Sequence, residues 1–195
     1  MPVSPSFALR PLSIAHDWVR SAVRPGGRVA DATAGNGRDT LFLAELVGEE
    51  GMVYAFDIQP GAVDATRRAA ETAELLDRVA LHACSHARLP EFVPRGLEAV
   101  MFNLGYLPGG DRNITTTIEE TLPALDAAFE LLGPGGIMTV MCYPGHDGGR
   151  DECAAVELVW SKLPISKGLV VILRSLNGAA DAPFLMGVQK KGGPQ

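Results

Sequence analysis

Short apolar runs rich in β-branched residues alternate with stretches of helical apolar spacing along this chain, and that alternation constrains the fold more than any other feature. A strand followed by a helix that carries the chain back to a second strand builds a parallel sheet with helices on both faces. Strands are expected over residues 28–32, 52–58, 79–83, 99–103 and 137–142. Two more, over 169–174 and 184–189, read as a closing hairpin around Asn177-Gly178. Residues 12–23 read as an opening helix with Leu12, Ala15, Trp18, Val19 and Ala22 on one face, stopped by Pro25-Gly26-Gly27. Further helices are expected after Gly37 through Val47, over 61–76, from Thr117 to 132 and over 152–162. Thr117 with Glu120 has the spacing of a capping box, and Gly133-Pro134-Gly135-Gly136 reads as a firm break before the next strand. The fold class is therefore α/β, a mostly parallel seven-stranded sheet covered on both sides.

The 195 residues suit one domain, and 47% hydrophobic against 21% charged residues is enough for a packed core. No apolar run approaches the roughly 18 residues of a membrane helix, and residues 1–10 lack the pattern of a signal peptide. A soluble, cytoplasmic protein with no membrane partner is the expectation. Cys84, Cys142 and Cys153 form no CxxC pair and no zinc pattern with His16, His82, His86 or His146, so no metal site is expected and the thiols read as buried and reduced. The net charge of −6 gives no general attraction to nucleic acid. An RNA ligand would need local cations, for which Arg10, Arg20, Arg24, Arg112, Arg150, Lys190 and Lys191 are available.

Ligands of an open α/β sheet sit beyond the carboxyl ends of the strands, where strand order reverses. Asp31 falls at the end of the first strand, and Gly35-Asn36-Gly37 forms the turn after it. Without a Cβ, those glycines let the backbone approach a ligand closely. Asp57 ends the second strand, where a carboxylate can accept both hydroxyl hydrogens of a ribose. A nucleotide-containing ligand fits this pattern. The dinucleotide fingerprint is incomplete, however, because Thr40 stands where its third glycine belongs.

Four segments carry a resemblance. They are Asp31-Ala-Thr-Ala-Gly-Asn-Gly-Arg-Asp-Thr40, Tyr54-Ala-Phe-Asp-Ile-Gln59, Met101-Phe-Asn-Leu-Gly-Tyr-Leu-Pro-Gly-Gly-Asp111 and Tyr143-Pro-Gly-His146. Together they resemble the bacterial family labelled "putative rRNA methylase", which is associated with methylating the aminomethyl group of 5-aminomethyl-2-thiouridine at the tRNA wobble position. The resemblance implies a single Rossmann-like class I methyltransferase domain over residues 1–195, with S-adenosylmethionine as methyl donor and tRNA as partner. It implies that Asp31, Gly35, Asn36 and Gly37 line the methionine part of that cofactor. Asp57, with Ile58 and Gln59 after it, would hold the ribose, and Ser85 and His86 would lie near the adenine.

Asn103-Leu104-Gly105-Tyr106 is analogous to the Asn-Pro-Pro-Tyr loop of amino-group methyltransferases. A sulfonium methyl is already activated, so the enzyme mainly has to align a nucleophile behind it. Asn103 can accept a hydrogen bond from an amine and aim its lone pair, also touching the cofactor side of the crevice. Tyr106 can stack on a base, and His146 can take a proton or touch a phosphate. Two other classes share the scaffold: a nicotinamide-dependent oxidoreductase and a non-catalytic S-adenosylmethionine-binding module. Within methyltransferases, rRNA and small molecules remain alternative acceptors, and a homodimer is an admissible assembly.

Overall fold

The computed structural model describes residues 10–111 and 113–192. Its elements run α1 (Pro11–Ala22), β1 (Arg28–Asp31), α2 (Arg38–Val47), β2 (Met52–Asp57), α3 (Pro60–Thr72), β3 (Val79–Ala83), α4 (Leu89–Phe92), β4 (Leu97–Asn103), α5 (Ile118–Leu131), β5 (Leu132–Cys142), α6 (Gly149–Ser161), β6 (Gly168–Leu173) and β7 (Phe184–Lys190). The seven strands form one sheet in the order β3-β2-β1-β4-β5-β7-β6. Strands β1 to β5 are parallel neighbours, and β7 is antiparallel to both β5 and β6. The closing hairpin expected from sequence is present, with its second strand inserted inside the first.

Central strands buried on both faces need apolar residues at nearly every position. In β4, Ala99, Val100, Met101 and Phe102 are all buried, as are Met138, Val140 and Cys142 in β5. Two apolar layers result. Ala15, Val19, Leu43, Val47 and Ala70 bring α1, α2 and α3 onto one face. Leu89, Leu125, Ala128, Val156 and Trp160 bring α4, α5 and α6 onto the other. At Gly187 a Cβ would come within 2.6 Å of the Trp18 ring, so the glycine is what lets α1 lie flat on β7. No helix among the described residues is long and apolar enough to cross a membrane.

Several sequence expectations need correction. Thr117 does precede α5, but its side chain makes no capping hydrogen bond. Glu120 does not reach back to the helix end; its carboxylate accepts the Ser85 hydroxyl across the sheet end. The glycine-proline run does not separate α5 from β5. The helix passes directly into Leu132, which pairs with Leu97, and residues 133–136 bulge out of the ladder before Ile137 meets Ala99. Helix α3 ends at Thr72, followed by a 3-10 turn over Leu76–Arg78, because Glu74 adopts a positive φ of 58° that breaks the helix. Helix α6 starts earlier, at Gly149, behind the left-handed Gly148. Cys142 and Cys153 are buried free thiols, but Cys84 is only half-buried.

Candidate active site

Strand order reverses between β1 and β4: the chain leaves β1 toward β2 and β3, then returns to lay β4 on the other side. The loops beyond these strands therefore diverge, and a cavity of about 320 Å³ opens between them. Thr33 and Gly35 line it from β1, and Asp57, Ile58 and Gln59 from β2. Ser85 and His86 line it from β3, and Asn103 and Tyr106 from β4.

The glycine turn is shaped by its backbone. Gly35 has φ +54°, and Gly37, at the amino end of α2, has φ +82°. A Cβ on Gly37 would sit 3.1 Å from Thr66 Cα, so that glycine serves the packing of α2 on α3 and does not line the cavity. The exposed Asn36 donates its side-chain N–H to the Pro108 carbonyl at 3.3 Å, tying the glycine turn to the loop after β4. Asp57 Oδ2 accepts the Gly35 N–H and Oδ1 the Gln59 N–H, each at 2.9 Å. Each carboxylate oxygen keeps one further lone-pair direction for a ligand.

Asp31 lies behind the cavity wall and is fully buried. Its carboxylate accepts the Thr40 hydroxyl at 2.6 Å and the Thr33 N–H at 3.2 Å. Burial, with the charge of Asp39 adding to it, pushes its pKa up to about 7. Thr40, which occupies the position of the third fingerprint glycine, thus satisfies a buried carboxyl in place of backbone approach. His86 is 7% exposed, its Nδ1–H donates to the Ala32 carbonyl at 3.2 Å, and burial holds its pKa below the ordinary value, so the ring is neutral at pH 7.

At the end of β4, the Asn103 backbone N–H donates to Thr33 Oγ1 at 2.7 Å. Its side-chain Nδ2 donates to Asp39 Oδ2 at 2.7 Å, and the other oxygen of Asp39 meets His16 Nε2 at 2.7 Å. A carboxylate only accepts, so the Asn103 amide must turn its NH₂ toward Asp39, leaving Oδ1 for the cavity. Neither His16 nor Asp39 is singled out as a site residue in the sequence, although Asp39 lies within the Asp31–Thr40 segment that carries the resemblance.

The loop after β4 is closed by Thr116. Its hydroxyl accepts the Gly105 N–H at 2.8 Å, its own N–H donates to the Gly105 carbonyl at 3.0 Å, and it donates to Glu152 Oε2 at 2.8 Å. Glu152, 2% exposed, also accepts from Thr121 Oγ1 at 2.6 Å. Sequence reasoning missed this buried carboxylate, which carries no motif. Tyr106 stands on the cavity wall, and the His146 ring meets it edge-on at 6.1 Å. His146 is not itself part of the wall; its Nδ1–H donates to the Asp147 carbonyl at 2.9 Å. Of the cations available for phosphates, Arg20 is paired with Asp17, Arg24 with Glu98, and Lys190 donates to the Phe129 carbonyl. Arg112 lies outside the described residues.

The fold and this crevice are those of a class I S-adenosylmethionine-dependent methyltransferase. The model of the family described as "Putative rRNA methylase" matches residues 53–189, and the chain belongs to that family. It is 38% identical over 188 residues to the "tRNA (mnm(5)s(2)U34)-methyltransferase, chloroplastic" of Arabidopsis thaliana, covering 91% of this chain and 68% of the relative. A crystal structure described as a "putative rRNA-methylase" from Clostridium thermocellum superposes with a TM-score of 0.91 at 39% identity, covering 97% of this chain and 100% of the other. A Streptococcus mutans structure, described as a "putative methyltransferase" in complex with SAH, gives 0.85 at 33% identity, covering 93% and 98%.

Proposed function

We propose that this enzyme methylates RNA, and that its acceptor is the amine of 5-aminomethyl-2-thiouridine at the wobble position of tRNA. The observation that carries the reading is the Asn103 side chain, held at the carboxyl end of β4 with Nδ2 engaged and Oδ1 left as a hydrogen-bond acceptor on the cavity side. An acceptor suits a nucleophile that brings its own N–H. The name of the Arabidopsis relative supports the same acceptor.

The residues present fit S-adenosylmethionine. Gly35 leaves room that a side chain would fill, and Asp57 keeps free lone pairs for the ribose hydroxyls. Ile58 and Gln59 flank that position, Asn36 braces the glycine turn against the Pro108 carbonyl, and Ser85 and the neutral His86 stand where an adenine would lie. Asp31 and Gly37 act from behind, shaping the turn. The cofactor supplies a methyl group on a cationic sulfur; the amine lone pair forms the new C–N bond as the C–S pair returns to sulfur. The work left to the chain is alignment, for which no strong base is needed. Asn103 orients the amine, and Tyr106 offers a face on which a base can stack. His146, edge-on to Tyr106, supports that ring. The ammonium product then releases its proton to water.

The test is methyl transfer from S-adenosylmethionine to tRNA carrying the 5-aminomethyl group, with tRNA lacking it as control, read by nucleoside analysis. Methylation of the first alone is expected. Equal methylation of both, or of neither, overturns the proposed acceptor.

A further inference from the structure

Asp39 is a charged group in direct contact with Asn103 at the end of β4, and it is almost entirely enclosed, with its side chain 7% exposed. It sits in the first turn of α2, where the positive end of the helix favours a carboxylate. Its two oxygens face two partners from distant parts of the chain: His16 of α1 and Asn103 of β4, both at 2.7 Å. The His16 ring is in turn stacked on Phe42 at 4.0 Å and 11° between planes, which fixes its plane. The result is a braced row of three side chains ending at the cavity wall.

We propose that Asp39, braced by His16, is the positioning residue that sets the polarity of Asn103. A primary amide can present either its NH₂ or its oxygen, and the two ends are nearly the same shape. Asp39 removes that freedom, because an amide oxygen turned toward it would place two acceptors in contact. The cavity then receives an oxygen, which rewards a nucleophile bearing hydrogen and gives nothing to one without. Without Asp39, Asn103 would populate both orientations, and the NH₂-inward form would compete for the lone pair that must attack the methyl. Asp39 thus acts on the reaction through Asn103, without touching the reacting atoms. This inference rests on the amine-acceptor reading above.

The experiment is a double-mutant cycle on the full chain. Asp39→Ala is expected to lower kcat on 5-aminomethyl tRNA on the order of tenfold or more while S-adenosylmethionine affinity changes by less than about threefold. In an Asn103→Ala background the same substitution is expected to change kcat by less than about twofold, since the residue it acts through is gone. His16→Ala should lower kcat in the same direction by less, and His16→Gln, which keeps a donor, should restore part of it. Multiplicative losses in the cycle, or an unchanged kcat in Asp39→Ala, would overturn the proposal. A second readout needs no acceptor. In the wild type, one Asn103 side-chain amide proton, identified by its absence in Asn103→Ala, should be shifted downfield and slow to exchange in NMR spectra, and should lose both properties in Asp39→Asn or His16→Ala. If the wild type methylates no tRNA, the acceptor reading fails, and the amide signal alone then decides the role of Asp39; an unshifted, freely exchanging amide would reject it.

Discussion

Gly35 donates its backbone N–H to Asp57 Oδ2 at 2.9 Å, so the glycine turn is moored to the carboxylate that faces the same cavity. Asp57 therefore anchors the turn, and its remaining lone pairs face the cavity, where we propose that they hold the ribose.

Replacing Asp57 by Ala should weaken S-adenosylmethionine binding by at least tenfold. Hydrogen bonds to a charged acceptor are worth roughly 1.5–3 kcal/mol each, and the anchor is lost with them. Asp57→Asn, which can keep one anchor, should fall between. Calorimetry on the folded variants measures this, and the Gly35 amide should exchange faster in Asp57→Ala. An unchanged affinity would mean the carboxylate only anchors.

Gly35 holds φ +54°, and a Cβ there would come 3.3 Å from Leu107 Cδ1. Gly35→Val should abolish cofactor binding and cost about 1–3 kcal/mol of stability through the strained backbone. Gly35→Ala should bind weakly. Circular dichroism alongside calorimetry separates the two effects: a folded Val variant with wild-type affinity would show that the turn does not approach the cofactor.

The buried Asp31 carboxyl, pushed to about 7 from an ordinary 3.8 mainly by burial and then by Asp39, makes stability depend on pH. The folded state holds a proton that the unfolded state has released, so between about pH 4 and 7 stability falls as pH rises. The penalty is complete above pH 7 and on the order of a few kcal/mol. Asp31→Asn keeps the Thr40 and Thr33 partners without the charge. It should match the wild type near pH 4 and exceed it at pH 8 in denaturant titrations. A parallel pH profile in the two proteins would sink this account.

Glu152 holds Thr116 and Thr121 from inside the fold. Glu152→Ala should destabilise by about 2–4 kcal/mol, because the buried Thr121 hydroxyl and the part-buried Thr116 hydroxyl lose their acceptor and a void remains. Since Thr116 clamps Gly105, the variant should also raise KM for the methyl acceptor while leaving S-adenosylmethionine affinity nearly unchanged. Steady-state kinetics with varied tRNA checks this; a change confined to cofactor affinity would contradict it.

The order of the seven strands and of every helix but the short α4 was legible in the sequence because each element writes its own period into neighbouring residues: buried runs such as residues 99–102, helical stripes such as Ala15 and Val19, and glycines at every positive φ among the described residues except that of Glu74. The position of the crevice was legible too, since Gly35 and Asp57 stand at strand ends in a fold whose switch point follows from its alternation. The continuity of α5 into β5 was not, because residues 133–136 carry every local sign of a break, and only the pairing of Leu132 with Leu97 overrides it. Nor was the loss of the capping box: Glu120 is drawn to Ser85, 35 residues away, and no local rule weighs that competitor against the helix end. Asp31 shows the same division. Its place at the end of β1 is written locally, but whether it faces a ligand or the interior depends on Thr40 and Asp39. Asn103 meets Asp39 across 64 residues, and Asp39 meets His16 across 23. Such partners are chosen by where strand ends and helix starts converge after the sheet has closed. A polar side chain has many chemically equal partners in the unfolded chain, and only the packed structure leaves one within reach.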